Sequence, residues 1–184
     1  MSFILCPKCK KKIAENSIFA NADAHGKVQL TCPGCLMRLR FSLKGNTLER
    51  FKEYYSSAYP YAHNVLGYLR VVENIFGYSA LLPLGEGLNT LGRNNGKGTT
   101  VTLPIESNDP SMDRNHAQLW VSTQGDAEIM DNDSMTGTFV NGVEILLPEK
   151  CPLSVGDTIT LGATTLIYLS PEAVEEEFSS RRKG

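Results

Sequence analysis

No run of apolar residues in this 184-residue chain approaches the length a bilayer requires, which argues against a membrane-spanning helix. The opening stretch MSFILCPKCKKK sets a short apolar run ahead of its lysines, the reverse of a secretory signal, so a cytoplasmic protein with no membrane partner is expected. Also missing are the patterns that carry reactions: a nucleophile elbow, a phosphate-cradling loop before a helix, or a paired ligand set with an open position. His25 reads as a solvated turn residue, and His63 has no companion of catalytic type. Together these absences point away from an enzyme.

Net charge is nearly absent too, at −2, but the balance hides a division. Residues 1–45 carry eight Lys/Arg against two Asp/Glu, whereas residues 46–184 carry ten against eighteen. The two parts are electrostatically different units. A basic amino-terminal unit is either a solvated face or a contact for nucleic-acid phosphates through Lys8, Lys10, Lys11, Lys12, Arg38 and Arg40. With 41% hydrophobic residues, the chain has enough apolar content to bury a core.

Four of the five cysteines fall in two pairs, CPKC (Cys6, Cys9) and CPGC (Cys32, Cys35). Each CxxC lets two thiolates converge on one ion from a tight knuckle. Two knuckles give the four soft ligands of a closed, structural zinc site. The competing readings are a redox dithiol and a disulfide framework; two matched pairs argue against the first and a cytoplasmic setting against the second. Between and after the knuckles, GKVQLTC and LMRLRFSL read as strands. In the second, Met37, Leu39, Phe41 and Leu43 alternate with Arg38, Arg40 and Ser42. The stretch resembles a zinc ribbon, placed at residues 1–45, and metal binding is expected to supply much of its folding free energy. Cys151, alone before Pro152, is expected to be a buried inert thiol.

Residues 46–66 read as a linker that opens with a short helix, because Leu48, Phe51 and Tyr55 fall at helical spacing before the Ser-Ser and Tyr-Pro breakers. Its tyrosines, Tyr54, Tyr55, Tyr59 and Tyr61, either pack against a neighbouring unit or form a contact surface. From residue 67 to 169 about ten short β-rich runs follow one another with turn residues between them and no convincing helix. This pattern argues for an antiparallel two-sheet sandwich, and the chain as a whole for an all-β fold. Residues 170–184 read as a short helix opened by Ser170 and Pro171, followed by a frayed basic end.

Four ordered segments then carry a family resemblance: LGRNN, DRNHA, DNDSMTGTFVNG and LSVGDTITLG. Residues 66–169 resemble a forkhead-associated (FHA) domain. The resemblance implies an eleven-stranded sandwich whose loops read phosphothreonine in a partner protein, and it places Arg93, Asp113, Arg114, Met135 and Thr136 at the contact positions. Gly92, His116, Ser134, Gly137, Thr138 and Asn141 would shape the loops, and Trp120 reads as a core aromatic.

A phosphothreonine brings a charge of about −1.5 to −2 and three acceptor oxygens, which suits the two-pronged guanidinium of Arg93. Three contact positions depart from the family's pattern. Asp113 stands where the family has a serine, and Met135 and Thr136 where it has Thr-Asn. One like charge at about 4 Å costs about 4 kcal/mol at an effective dielectric near 20, more than the ~1.5–3 kcal/mol of a hydrogen bond to a charged group. An ionised Asp113 facing the ligand would therefore weaken binding, or would pair with Arg93 or Arg114 and fill the pocket from within; pointing away, it would leave phosphate binding through Arg93 intact. The expectation is a non-catalytic adaptor recognising a partner protein, threonine-phosphorylated or not; the alternative is a nucleic-acid-associated protein acting through its basic ribbon.

Overall fold

The computed structural model describes residues 3–58 and 64–179. Tyr59, Tyr61, His63 and the basic end of the tail lie outside the described residues. Among the described residues no helix is long and apolar enough to cross a membrane.

Two hairpins build the amino-terminal unit, one spanning each cysteine pair. β1 (Phe3–Leu5) pairs with β2 (Lys12–Ala14), and β3 (Lys27–Thr31) with β4 (Arg38–Ser42), both antiparallel. Val28, Leu30 and Leu39 turn inward while Lys27, Gln29, Arg38 and Arg40 face out, the period-two pattern of a half-buried strand. Between the hairpins lies α1 (Glu15–Ala20), which the sequence reading did not contain. A six-residue helix is too short to show periodicity or to be stable alone. Burial of Ile18 and Phe19 on its neighbours holds it.

The residues that follow form α2 (Thr47–Ala58), opened by the Asn46 carboxamide, which accepts from the Leu48 and Glu49 amides at 3.0 and 3.4 Å. The chain ends its described course in α3 (Pro171–Ser179), where the Ser170 hydroxyl accepts from the Ala173 amide at 3.2 Å and Pro171 occupies the first helical position. These helices meet around Phe51. Its ring centroid lies 4.5 Å from that of Tyr55, 4.8 Å from Phe178 and 5.7 Å from Phe19 of α1. Tyr68 and Leu81 complete this aromatic layer from the sandwich, and the Tyr55 hydroxyl donates to the Leu81 carbonyl. Lys52 and Glu175 add a 3.0 Å ion pair on the surface between α2 and α3.

The sandwich comprises a six-stranded and a five-stranded sheet. β5 (Gly67–Val71), β6 (Ala80–Leu84), β11 (Thr138–Val140), β12 (Val143–Glu144), β14 (Thr158–Leu161) and β15 (Thr164–Leu169) form the first, in the order β12-β11-β14-β15-β5-β6. β7 (Gly87–Asn94), β8 (Leu103–Glu106), β9 (Ala117–Val121), β10 (Ala127–Asp131) and β13 (Cys151–Leu153) form the second, in the order β13-β10-β9-β7-β8. Leu69, Leu82, Leu91, Leu119, Ile129 and Leu166 are fully or almost fully buried between them. The pairing is antiparallel with one exception: β8 runs parallel to β7, Arg93 opposite Ile105, because residues 95–102 carry the chain back before it re-enters the sheet. Pro83, Pro104 and Pro152 sit on the outermost strands β6, β8 and β13, where a residue without an N–H leaves no ladder bond unmade.

Two expectations change. Trp120 faces outward from β9 between buried Leu119 and Val121, half-covered, with the Lys150 ammonium 4.1 Å above its ring. A strand alternates its faces, and Trp120 falls on the outer one. Cys151 borders the core from an edge strand and is only partly buried; that burial, with Asp157 nearby, pushes its thiol up.

Since Phe51 is 1% exposed and joins all three helices to the sheet, Phe51→Ala should lower stability by about 3–5 kcal/mol, read as a shift of the urea midpoint.

Candidate functional site

The loops leaving β7, β8 and β10 emerge at one end of the sandwich, and the chain at Arg114 crosses directly over Gly92. A Cβ on Gly92 would fall 2.1 Å from the Arg114 carbonyl oxygen, so no other residue fits there. The crossing is tied on both sides: the Arg93 amide donates to the Asp113 carbonyl at 2.9 Å, and the His116 amide to the Leu91 carbonyl at 2.8 Å.

Three buried polar side chains hold these loops. His116, with no exposed surface, accepts the Asp113 amide at Nδ1 (2.9 Å), so its hydrogen sits on Nε2 and is donated to the Gly137 carbonyl at 3.0 Å. Asp131 accepts the Ser134 amide and hydroxyl at 2.9 and 2.6 Å and the Thr138 hydroxyl at 2.7 Å. Asp109 accepts the amide and hydroxyl of Ser111 at 3.0 and 2.6 Å, the Ala163 amide at 2.9 Å and the Thr164 hydroxyl at 3.0 Å. Burial pushes both carboxyls up, but the donated hydrogen bonds outweigh it and hold each below the ordinary aspartate value. His116, Ser134, Gly137 and Thr138 thus come together beneath the loops, whereas Asn141 does not. It lies at the opposite end of β11, where its carboxamide bonds Asp157 and the Thr158 amide at 2.9 and 3.0 Å.

On this support stand the five expected contact residues. Arg93 is half-buried; its Nε donates to the Met112 carbonyl at 2.9 Å, and its terminal amino groups have no partner among the described residues. Arg114 is exposed and reaches the Gly98 carbonyl and the Asn95 side-chain oxygen at 3.2 and 3.3 Å. The Thr136 hydroxyl donates to the Ser111 carbonyl at 2.8 Å, and Met135 is 83% exposed. Of the courses open to Asp113, the structure shows the one that turns away from the arginines. Its carboxylate accepts the Met135 amide at 2.6 Å, and among the described residues no ion pair joins it to Arg93 or Arg114. A backbone N–H supplied by the neighbouring loop competes with the guanidinium groups for this oxygen, so the pocket does not fill itself. Asp109, Ser111 and Met112 escaped the sequence reading; the only local signal was the turn composition of SNDPSMD.

A second cluster lies in the amino-terminal unit. The sulfurs of Cys6, Cys9, Cys32 and Cys35 all lie within 4.8 Å of one another, with Cys6–Cys35 at 3.6 Å and Cys9–Cys32 at 3.5 Å. A tetrahedral ion with metal–sulfur bonds of about 2.3 Å needs sulfurs about 3.8 Å apart, so the donor set fits zinc in number, chemistry and spacing. The knuckles are built alike. The carbonyls of Cys6 and Cys32 accept the amides of Lys10 and Leu36 at 2.9 and 2.7 Å, and both of those residues adopt left-handed backbone, φ 62° and 57°. Burial raises the Cys32 thiol, but the hydroxyl of Tyr78 and neighbouring amide and thiol donors more than offset it, bringing it to about 6. Lys8, Lys10, Lys12, Arg38 and Arg40 are exposed, while the Lys11 ammonium lies 5.8 Å from the Tyr78 ring.

The central part of the sandwich matches a known family. Residues 89–162 match the family model of the FHA domain. This stretch is an FHA domain, a class of protein-interaction module. An ABC transporter ATP-binding/permease protein of Mycobacterium tuberculosis is 35% identical over 85 residues, 46% of this chain and 9% of the transporter, so the chain spans under a tenth of that relative. Among solved structures, an FHA domain studied for phosphothreonine-dependent interactions is 25% identical with a TM-score of 0.46, covering 56% of this chain and 94% of that one. The FHA domain of a Chlamydia trachomatis protein is 23% identical with a TM-score of 0.47, covering 56% and 96%.

Two outcomes check the loop supports. Gly92→Ala meets backbone rather than a yielding side chain, so it should cost about 1–3 kcal/mol in thermal or urea unfolding. Asp109 and Asp131 contribute stability that is complete above the ordinary value of 3.8 and is lost as pH falls through their lower folded values. Acid melting curves should therefore steepen below that value, and Asp131→Asn should flatten the pH dependence while lowering the melting temperature at neutral pH.

Proposed function

We propose that the protein is a non-catalytic adaptor whose FHA loops hold a threonine-phosphorylated segment of a partner protein, and whose amino-terminal unit is a ribbon folded around one structural zinc. Arg93 is the anchor of the phosphate and Arg114 its second cation, with the Thr136 hydroxyl beside them. One observation carries this reading: Asp113 directs its carboxylate to the Met135 amide, so neither arginine is neutralised from within and Arg93 keeps both terminal amino groups for a ligand. A guanidinium fixed through Nε needs little reorganisation to give two parallel hydrogen bonds to a phosphate.

Asp113 acts as a brake on this binding. Its carboxylate occupies the Met135 N–H, which is then not free to donate to a phosphate. Phosphothreonine affinity should therefore be modest, with the exposed Met135 adding apolar contact for residues flanking the phosphothreonine.

A phosphothreonine peptide library titrated against the full chain tests the reading. Arg93→Ala should abolish binding, Asp113→Ser should strengthen it by about tenfold or more, and the unphosphorylated peptides should not bind. Equal binding of phosphorylated and unphosphorylated peptides, or no effect of Arg93→Ala, would overturn it. For the ribbon, native mass spectrometry should find one zinc per chain, and a chelator should unfold residues 3–45.

A further inference from the structure

We infer that the FHA sandwich completes the ribbon's metal centre, with Tyr78 as the residue that positions the Cys32 thiolate. The inference rests on the zinc reading above and adds a residue from outside the ribbon. Tyr78 lies in the loop between β5 and β6, 46 positions from Cys32, and its hydroxyl stands 3.1 Å from the Cys32 sulfur. A metal-bound thiolate carries no proton, so the phenol is the donor. The Tyr78 ring is 7% exposed and packs with Ile13, Leu30 and Leu39 of the two hairpins, so the sandwich reaches into the ribbon core rather than touching its surface.

The loop that presents this hydroxyl is held firmly by the sandwich. The Asn74 side-chain oxygen accepts the Phe76 and Gly77 amides at 2.8 and 3.0 Å, and its nitrogen donates to the Ala163 carbonyl and the Thr164 hydroxyl at 3.2 and 3.3 Å. The Asn108 amide donates to the Phe76 carbonyl at 3.0 Å, and a Cβ on Gly77 would lie 2.6 Å from the Glu106 carbonyl oxygen. Two further bonds cross to the ribbon: the Thr31 amide, next to Cys32, donates to Glu73 at 3.2 Å, and the Asn21 carboxamide to the Ser79 hydroxyl at 2.5 Å. A hydrogen bond from outside the ligand set, held on a rigid support, fixes the direction and donor strength of a metal ligand. Because residues 106–108 also begin the loop that carries Asp113 and Arg114, the metal centre and the anion-reading end share one support.

Tyr78→Phe keeps the ring and removes only the donor. In competition with a chromophoric chelator, the full-length variant should bind zinc about tenfold more weakly or worse. With cobalt in place of zinc, its thiolate-to-metal charge-transfer absorption should move to lower energy while the d–d intensity of a tetrahedral site is kept. Unchanged affinity together with unchanged charge-transfer energy would overturn the inference. A measurement on the wild-type chain does not depend on the variant folding: stripping zinc should speed amide exchange in residues 72–79, and faster exchange confined to residues 3–45 would equally overturn it. A wild-type chain that takes up neither zinc nor cobalt overturns the zinc reading itself and this inference with it. Uptake with a Tyr78→Phe chain indistinguishable from wild type overturns only the part assigned to Tyr78.

Discussion

The loop end of the sandwich that carries Arg93 and Arg114 depends on buried side-chain oxygens and nitrogens whose hydrogen bonds are made by backbone groups and hydroxyls of the loops themselves. Loops do not hold a shape by hydrophobic packing, since their own amides and carbonyls need partners. Asp109, His116 and Asp131 supply those partners from below: each is buried, Asp109 and His116 join segments distant in sequence, and Asp131 closes the loop that follows its own strand. Removing one partner from such a network leaves a buried group unsatisfied, which costs more than the bond itself contributes. The close crossing at Gly92 is held the same way, with the strand's Arg93 amide donating to the Asp113 carbonyl and the His116 amide donating back to the Leu91 carbonyl. This arrangement fixes the backbone around Arg93 and Arg114.

Charge on that platform is divided between two cations and one anion that ignore each other. Asp113 takes a backbone amide from the Met135 loop, Arg114 takes a carbonyl and a carboxamide from the loop after β7, and Arg93 takes the Met112 carbonyl. Each charge is therefore oriented by a neutral dipole. Among the described residues, no ion pair joins these three charges to one another.

Much of this was legible because the signals were local. The cysteine pairs announced themselves by spacing, and the two knuckles fold as the repeated Cys-Pro-x-Cys suggests. Glycine next to arginine in LGRNN and the turn-rich DNDSMTGTFVNG marked the loops of the sandwich. What escaped the reading depends on partners far along the chain. The direction of Asp113 is decided by an amide 22 residues later, and the role of Tyr78 by a sulfur 46 residues earlier. β13 escaped because three residues around a proline carry no alternation, and α1 because its one turn and a half exists only by packing. Trp120 was misplaced for a simpler reason: hydrophobicity alone does not say which face of a strand is covered.

The strand β6, Ala-Leu-Leu-Pro-Leu, is buried along its whole length although it is the last strand of its sheet. It is shielded not by another strand but by α1, by the Asn21–Ser79 contact and by the Tyr55 hydroxyl on the Leu81 carbonyl. An apolar border with open backbone groups is a template on which further chains assemble. The ribbon and α2 thus cover an apolar margin that strand pairing leaves open. A sandwich excised at residue 67 would bare that margin, with the Leu81 carbonyl and the apolar side chains of β6 open to solvent.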